Sequence, residues 1–396
     1  MRNDAVTVVA TNDLEFTQRN PLENIMTPEP LSATAEQALP NSVTMPTFVT
    51  IAIPSLNEEH YIEACVTSLI GQWPNGFYEI LVLDGGSTDR TREIVAAIHE
   101  RHAAVMLVSN PRRIQSAAIN LAARVASRQA TVMVRADAHA VYAPDFVQRC
   151  VTALLTTGAT SVVVPMRTRA RSPGAFQQQA IAAAQSSRLG NGGAAHRVRA
   201  VSGFVEHGHH AAFDLGFFRS LGGYDESFTH NEDAELDVRA IRAGGRIWMC
   251  VDAPVTYYPR DRFDRLAQQY FRHGGGRART VYKHRLRPRP RQLTPVVVLC
   301  GCVAAATTAP FDPMLSLLGL LYPASCLSWG VLQMLRRRDP RLIAGGVALM
   351  TMHLAWALGF LVGLARTHGA ANRADRAAPP SFWLTDAGPA AEAVER

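Results

Sequence analysis

Three short runs in this 396-residue chain combine carboxylates, amides, hydroxyls and an imidazole at spacings that suit a charged ligand. The first, Asp84-Gly85-Gly86-Ser87-Thr88-Asp89, sets a carboxylate before two glycines, which allow close backbone approach, and before residues able to cap a helix. The second, Arg135-Ala136-Asp137-Ala138-His139, spaces a carboxylate and an imidazole two residues apart. In extended chain both face one cleft, and both are competent donors to a divalent cation bridging a diphosphate. The third, Asn231-Glu232-Asp233-Ala234-Glu235-Leu236-Asp237, gathers five acidic or amide groups in seven residues, which repel unless they are solvated, used, or set at a helix N-terminus. Each run alone also reads as ordinary structure: a turn with an N-cap, an exposed loop, a helix start. Their joint occurrence, in order, points to a site.

Such runs make a site only if the fold brings them to one edge. Apolar strands are expected at 48–54, 78–84, 105–109 and 130–134, with helices at 61–70, 90–99 and 114–126 between them. Strand alternating with helix predicts an α/β fold with a mostly parallel sheet, in which ligands lie beyond the strands' carboxyl ends, and the first two runs stand there. The third run precedes a predicted helix ending at Gly244-Gly245. No Gly-x-Gly-x-x-Gly follows the first strands, which disfavours a dinucleotide-dependent dehydrogenase.

Charge and hydropathy place this domain beside a membrane. Of the formal net charge of +7, a surplus of eleven Lys or Arg over two Asp falls between Arg260 and Gln292, immediately before apolar sequence. A basic collar in that position favours a cytosolic membrane surface over nucleic acid. Three apolar stretches follow, of 17 residues (293–309), 23 (313–335) and 24 (342–365). At 1.5 Å per helical residue the latter two reach about 35 Å, enough for a hydrocarbon core of about 30 Å. The first is marginal for crossing, and an interfacial or re-entrant path stays open. Arg336-Arg337-Arg338 between the second and third favours a cytosolic loop, which makes a third crossing leave the C-terminus outside. Residues 1–46, with five prolines and no periodic apolar face, read as a disordered tail without a signal peptide, and 367–396 as a flexible tail. Six scattered Cys without a CxxC predict a reduced protein without structural zinc.

The runs together resemble family 2 glycosyltransferases. Ile53-Pro54-Ser55-Leu56-Asn57-Glu58-Glu59 follows the first strand and Leu83-Asp84-Gly85-Gly86-Ser87-Thr88-Asp89 the second; Asp137-Ala138-His139 stands in the DxD position and Glu232-Asp233 in the catalytic-base position. The resemblance spans roughly 48–284, and the Asp-Ala-His-Ala and Glu-Asp-Ala-Glu-Leu runs, with the Gly- and Arg-rich stretch before the apolar ones, are similar to members that act in exopolysaccharide biosynthesis. It implies a GT-A catalytic domain over 47–292, Rossmann-like with a mostly parallel sheet, followed by two to three membrane helices over 293–366. Pro54, Asn57, Glu58 and Asp84 then line the nucleotide pocket, with Asp84 on uracil or ribose; Asp137 lies by the ribose and diphosphate; and Asp233 is the general base. Asp137 and His139 would hold a divalent metal, Mn²⁺ or Mg²⁺, with His139 standing where the family usually has Asp. Gln269-Tyr270-Phe271-Arg272 resembles the QxxR part of the QxxRW segment of processive members, with His273 in place of Trp. Arg272, Arg277 and Arg279 are candidates for diphosphate or a lipid head group. His207, His209 and His210 are read as acceptor-cleft lining or plain surface rather than as zinc ligands.

The expectation is thus an inverting hexosyltransferase of the plasma membrane, multi-pass with a cytoplasmic catalytic domain. It would move a hexose, glucose by expectation, from a UDP-sugar to a polyprenyl-diphosphate-linked saccharide, with no nucleic-acid partner. The alternatives are a processive polysaccharide synthase, disfavoured by the missing Trp, and a catalytically inactive, membrane-anchored nucleotide-sugar-binding assembly subunit.

Overall fold

The computed structural model describes residues 47–172, 174–192 and 201–371. The 1–46 tail and most of the C-terminal tail expected from the sequence lie outside them, whereas 367–371 continue the last helix. The chain runs β1 (Phe48–Ser55), α1 (Ile62–Leu69), β2 (Tyr78–Asp84), α2 (Thr91–Arg101), β3 (Val105–Ser109), α3 (Gln115–Val125), β4 (Ala130–Arg135) and α4 (Phe146–Thr157). It continues through β5 (Ser161–Val164), β6 (Met166–Thr168), α5 (Phe176–Ser186), α6 (Arg188–Asn191), β7 (Gly203–Val205), β8 (His209–Asp214), α7 (Leu215–Ser220), α8 (Glu232–Arg242), β9 (Ile247–Met249) and β10 (Val255–Tyr257). A long helix, α9 (Phe263–Lys283), leads into α10 (Pro290–Thr308), α11 (Pro313–Leu317), α12 (Leu321–Arg337) and α13 (Gly345–Ala371).

Eight strands form one sheet in the order β3-β2-β1-β4-β8-β5-β9-β7, and β6 pairs with β10 in a second, two-stranded one. The first four strands are parallel, as the strand-helix alternation predicts. Apolar side chains alternate along them between two layers. Val49, Ile51 and Ile53 of β1 join Ile80 and Val82 of β2 on one face, and Ala52, Leu81 and Leu83 pack with α3 on the other. Both faces are therefore covered, and chemistry is left to the edge where β1, β2 and β4 end. β8 runs antiparallel to β4, with Val132 opposite Asp214 and Val134 opposite Ala212. Its first residues consequently stand at the same edge as the last residues of β4; two residues on, the same register sets Asp137 across from His209.

Three helices are long and apolar enough to cross a membrane: 290–308, 318–337 and 340–368. The first carries no buried residue. The third is different, because α9 lies along it in the same direction. Leu266 packs with Leu349 and Met352, the Tyr282 ring stacks edge-on to His368 at 5.0 Å, and glycines bring the backbones together between those ends. A Cβ on Gly274 would lie 2.1 Å from the Trp356 carbonyl oxygen, and one on Gly359 2.0 Å from that of Phe271. One on Gly276 would lie 2.5 Å from the His230 carbonyl, on the opposite, catalytic side of α9. Three consecutive glycines in a helix interior are unfavourable by roughly 1 kcal/mol each relative to Ala. Here they let α9 fit between α13 and the loop before α8.

Candidate active site

The loops after β1 and β2 form one hydrogen-bonded unit. Asn57, at φ 56°, accepts from the Thr88 amide at 2.8 Å through Oδ1, while its own amide donates to Ser87 Oγ at 2.8 Å. The Glu58 amide donates to Thr91 Oγ1 (2.8 Å) and that of Glu59 to Asp89 Oδ2 (3.1 Å); the Arg90 amide returns a bond to Glu59 Oε2 (3.0 Å). Asn is among the few residues that adopt a left-handed conformation readily, and its side chain can then bond a neighbouring backbone. Asp84 is buried and accepts from the Gly86 amide (3.1 Å), the Ser87 amide (3.1 Å) and Ser87 Oγ (2.5 Å), so its carboxylate fixes the Gly-Gly turn. Pro54 pairs with Leu83 of β2 beyond the last rung of the β1–β4 ladder, where its missing N–H costs no bond.

Across the edge lies a cluster of charges centred on Arg135, the last residue of β4. Its guanidinium donates to Asp233 Oδ1 at 2.7 Å and to the Tyr224 hydroxyl at 3.2 Å, and stands 3.8 Å from Asp137 Oδ1. Asp137 Oδ2 is 3.4 Å from His209 Nε2, and Gln115 Nε2 donates to its other oxygen at 3.3 Å. His210 is buried with Nε2 2.7 Å from Asp237 Oδ1 and Nδ1 2.8 Å from the Tyr224 hydroxyl and 3.3 Å from Asp233 Oδ1. His207 Nδ1 lies 2.6 Å from Asp237 Oδ2. His139 Nδ1 lies 3.3 Å from Glu58 Oε1, which joins the cluster to the first loop. Asp233 and Asp237, four residues apart, share one face of α8, and this positions the ladder Arg135–Asp233–His210–Asp237.

Burial makes these charges interdependent. It opposes ionisation of Asp233, yet the Arg135 and His210 charges hold that carboxyl well below the usual carboxylate range. Asp137 is likewise held low against burial, by the His209 hydrogen bond and the Arg135 charge. Burial works against a charged His210, but Asp237 and Asp233 carry its pKa up to about 10. Burial and the neighbouring Asp233 charge push Glu232 the other way, up to about 7. The Glu58 hydrogen bond raises His139, against its burial. Buried charges persist only when paired in this manner, and removing one partner leaves the other exposed to the full desolvation cost.

The structure brings Asp137 and Asp233 together on Arg135 and pairs His139 with Glu58, with Pro54, Asn57 and Asp84 in the adjoining loop unit. Arg272 stands apart from both, exposed on α9, where its charge acts on His230 next to the α8 N-terminus. The reading of the three β8-side histidines as cleft lining or surface needs correction at His210. It is 1% exposed and lies between two aspartates. The organising roles of Arg135, Tyr224, His210 and Asp237 escape the motifs; the one available signal is a His pair opening a strand that continues Ala-Ala-Phe-Asp. Among the described residues no group of three or more His, Cys, Asp or Glu side chains forms a metal cluster by itself. Asp137 and His139 still suit a cation that takes its remaining ligands from a substrate diphosphate and water: Glu58 orients the imidazole through Nδ1, leaving Nε2 as the donor.

A mostly parallel sheet with stitched donor-side loops and an acidic helix start at its carboxyl edge defines a glycosyltransferase of the GT-A class. Residues 50–222 match the model of glycosyl transferase family 2. The chain is 44% identical over 310 residues to the succinoglycan biosynthesis protein ExoA of Rhizobium meliloti, covering 78% of this chain and 93% of that protein. The chain belongs to glycosyl transferase family 2, is a glycosyltransferase, and is related to ExoA. A 76-residue segment, 18% of this chain and 24% of the other, is 37% identical to a dolichyl N-acetyl-alpha-D-glucosaminyl phosphate 3-beta-D-2,3-diacetamido-2,3-dideoxy-beta-D-glucuronosyltransferase of Methanococcus voltae. The fold is similar to that of the mannosyltransferase PcManGT from Pyrobaculum calidifontis, solved with GDP-Man and Mn2+: TM-score 0.55, 21% identity, 82% of this chain and 88% of that one.

Proposed function

We propose that this enzyme moves a hexose, glucose by expectation, from a UDP-sugar to a polyprenyl-diphosphate-linked saccharide in exopolysaccharide biosynthesis, with inversion at the anomeric carbon. The observation that carries the reading is Arg135 joining Asp137 to Asp233 across the edge where the β1 and β2 loops end. Those loops, with Pro54, Asn57, Glu58 and Asp84, form the wall for the nucleotide. The acceptor hydroxyl oxygen forms the new bond to the anomeric carbon, its proton passes to Asp233, and the bond to the UDP oxygen breaks on the opposite face. Arg135 and His210 hold the Asp233 carboxylate ionised and aimed before the step, so little reorganisation accompanies it. Asp137 and His139 would hold a Mn²⁺ or Mg²⁺ ion, which when bound neutralises charge on the departing diphosphate. Arg272 adds positive charge beside His230. Relatedness to ExoA supports the exopolysaccharide setting, and the Methanococcus relative, named as a transferase for a dolichyl N-acetyl-alpha-D-glucosaminyl phosphate, supports a lipid-borne acceptor.

The apolar helices support a plasma-membrane enzyme with its catalytic domain cytoplasmic. For α13 to cross the bilayer, α9 would accompany it with Arg272, Arg277, Arg279 and Lys283, each unfavourable by roughly 2.5–3.5 kcal/mol at the bilayer centre. Of the two to three membrane helices expected, α10 and α12 therefore make the crossing hairpin and α13 lies with the catalytic domain.

One observation favours a second assignment of the base: Glu232, held near 7, is better matched to proton transfer at neutral pH than Asp233. The test of both is transfer of labelled hexose from UDP-glucose into lipid-extractable material by membranes bearing wild type, Asp233→Asn or Glu232→Gln, with Mn²⁺ or with EDTA. Metal-dependent labelling by wild type and Glu232→Gln but not Asp233→Asn assigns the base to Asp233. Labelling by Asp233→Asn alone of the two variants transfers that role to Glu232. No labelling with any UDP-hexose, given folded protein and a confirmed acceptor pool, leaves the assembly-subunit reading.

A further inference from the structure

The basic collar is not uniform. Arg279 is engaged, its two terminal nitrogens donating to the Ser227 carbonyl (2.5 Å) and hydroxyl (2.6 Å) with the guanidinium 4.2 Å over the Phe228 ring. Lys283 bridges Asp225 (2.8 Å) and Glu235 (2.6 Å). Arg277, two residues before Arg279 on the same helix, differs from both: its Nε is buried without a hydrogen-bond partner, and among the described residues no ion pair holds its head. The charges that act on it are Arg289 and Arg291, at the start of α10, and Glu206, the residue after β7. Glu206 is itself claimed by Arg289 in an ion pair. Among the described residues, three guanidinium groups thus share the field of one carboxylate, and burial with two like charges lowers the Arg277 pKa to about 10.

A mostly buried cation without an ion-pair partner is costly, and three guanidinium groups within electrostatic reach of one another, only one of them paired with Glu206, suit a multiply charged oxyanion. The spot has two further properties. It adjoins the first residues of the leading apolar helix, where a lipid's polar end would lie. Glu206 also precedes His209, the partner of Asp137, by three residues, at most about 10 Å of extended chain, so a ligand held here reaches the reaction centre through a short saccharide. We propose that Arg277, with Arg289 and Arg291, is the subsite for the diphosphate of the lipid-linked acceptor. The assignment rests on the lipid-acceptor reading above and deepens it by naming what holds the acceptor's charged end.

The test uses the full chain in phosphatidylcholine nanodiscs, with a polyprenyl diphosphate as probe and binding followed by native mass spectrometry. Arg277→Gln is expected to weaken binding at least tenfold, Arg277→Lys to restore part of it, and Arg289→Gln with Arg291→Gln to fall between. The exposed pair keeps the test open if Arg277→Gln does not fold. Phosphatidylglycerol at the same mole fraction is expected not to compete, and inorganic pyrophosphate to bind far more weakly than the lipid. Unchanged binding in every variant overturns the proposal. Equal competition by phosphatidylglycerol overturns it in favour of a general head-group collar, and equal binding of inorganic pyrophosphate in favour of a free anion. UDP titrated calorimetrically into the same preparations reads the nucleotide site separately, so failure of the donor reading is told apart from failure of this one.

Discussion

The donor-side loops and the Arg135 cluster sit side by side at one sheet edge and are held by different physics. The loops are fixed by backbone amides and a hydroxyl donating to side chains near in sequence or on the adjoining loop, with Asp84 bonding its own turn and Asn57 bonding the turn next to it. The cluster is fixed by charges on β4, β8 and α8, elements remote in sequence, with His210 and Asp237 almost wholly out of water. Breaking a loop bond should therefore cost about 1 kcal/mol and stay local, whereas removing one member of the cluster leaves another buried charge unpaired. The loops need only be shaped for a nucleotide; the cluster must hold charge in readiness for a proton.

The largest effect should come from Asp233→Asn. Transfer is expected to fall by about 10²–10⁴, the usual worth of a general base, while UDP affinity by calorimetry stays within about twofold. A variant that loses both would show that the two regions are one structural unit. Next, Asp237→Ala removes the partner of a buried, charged His210 and is expected to destabilise the protein by about 3–5 kcal/mol, read as a lowered Tm in detergent. An unchanged Tm would mean that Tyr224 and Asp233 suffice to hold His210. Asn57→Ala should be milder, at roughly 1–2 kcal/mol, raising the donor KM with kcat little altered, since only the loop unit loosens. The most diagnostic effect is on the pH dependence of stability. Glu232 titrates near 7 when folded and near 4.5 when free, so its proton favours the folded state below 4.5, and that contribution is lost as the pH rises towards 7. Glu232→Gln should match wild type near pH 4.5 and exceed it in Tm above 7; parallel curves across that range would exclude a raised Glu232.

How much of this was legible follows the same divide. The loops are encoded in contiguous residues: Asp84 to Asp89 carry both the turn and its hydrogen bonds, so the motif alone announced the shape. The alternation from Phe48 to Arg135 gave the parallel strands, because apolar runs of strand length between helical patterns admit few arrangements. The cluster was not readable, because Arg135 meets Asp233 98 residues away and His210 meets Asp237 27 residues on, through contacts of α8 with β4 and β8 that no local pattern declares. His210 reads as cleft lining or surface because a histidine beside a histidine carries no hint of burial. The apolar stretches showed their length and nothing of their neighbours, so the bedding of α13 along α9 came only with the three glycines in place.

Those glycines also decide how the molecule can be cut. A fragment ending at residue 292 would retain every motif of the family and still lose the surface on which α9 rests. Phe271 and Gly274 would face solvent where Gly359 and Trp356 had met them, and Leu266 and Ile181 would lose Leu349 and Met352. On the far side of the same helix, the Gly276 contact with His230 and the Asn231 bond to the His273 carbonyl carry that loosening to the residue before Glu232. The last apolar helix is in this sense part of the catalytic domain's foundation, and material for crystallisation or turnover assays should keep it.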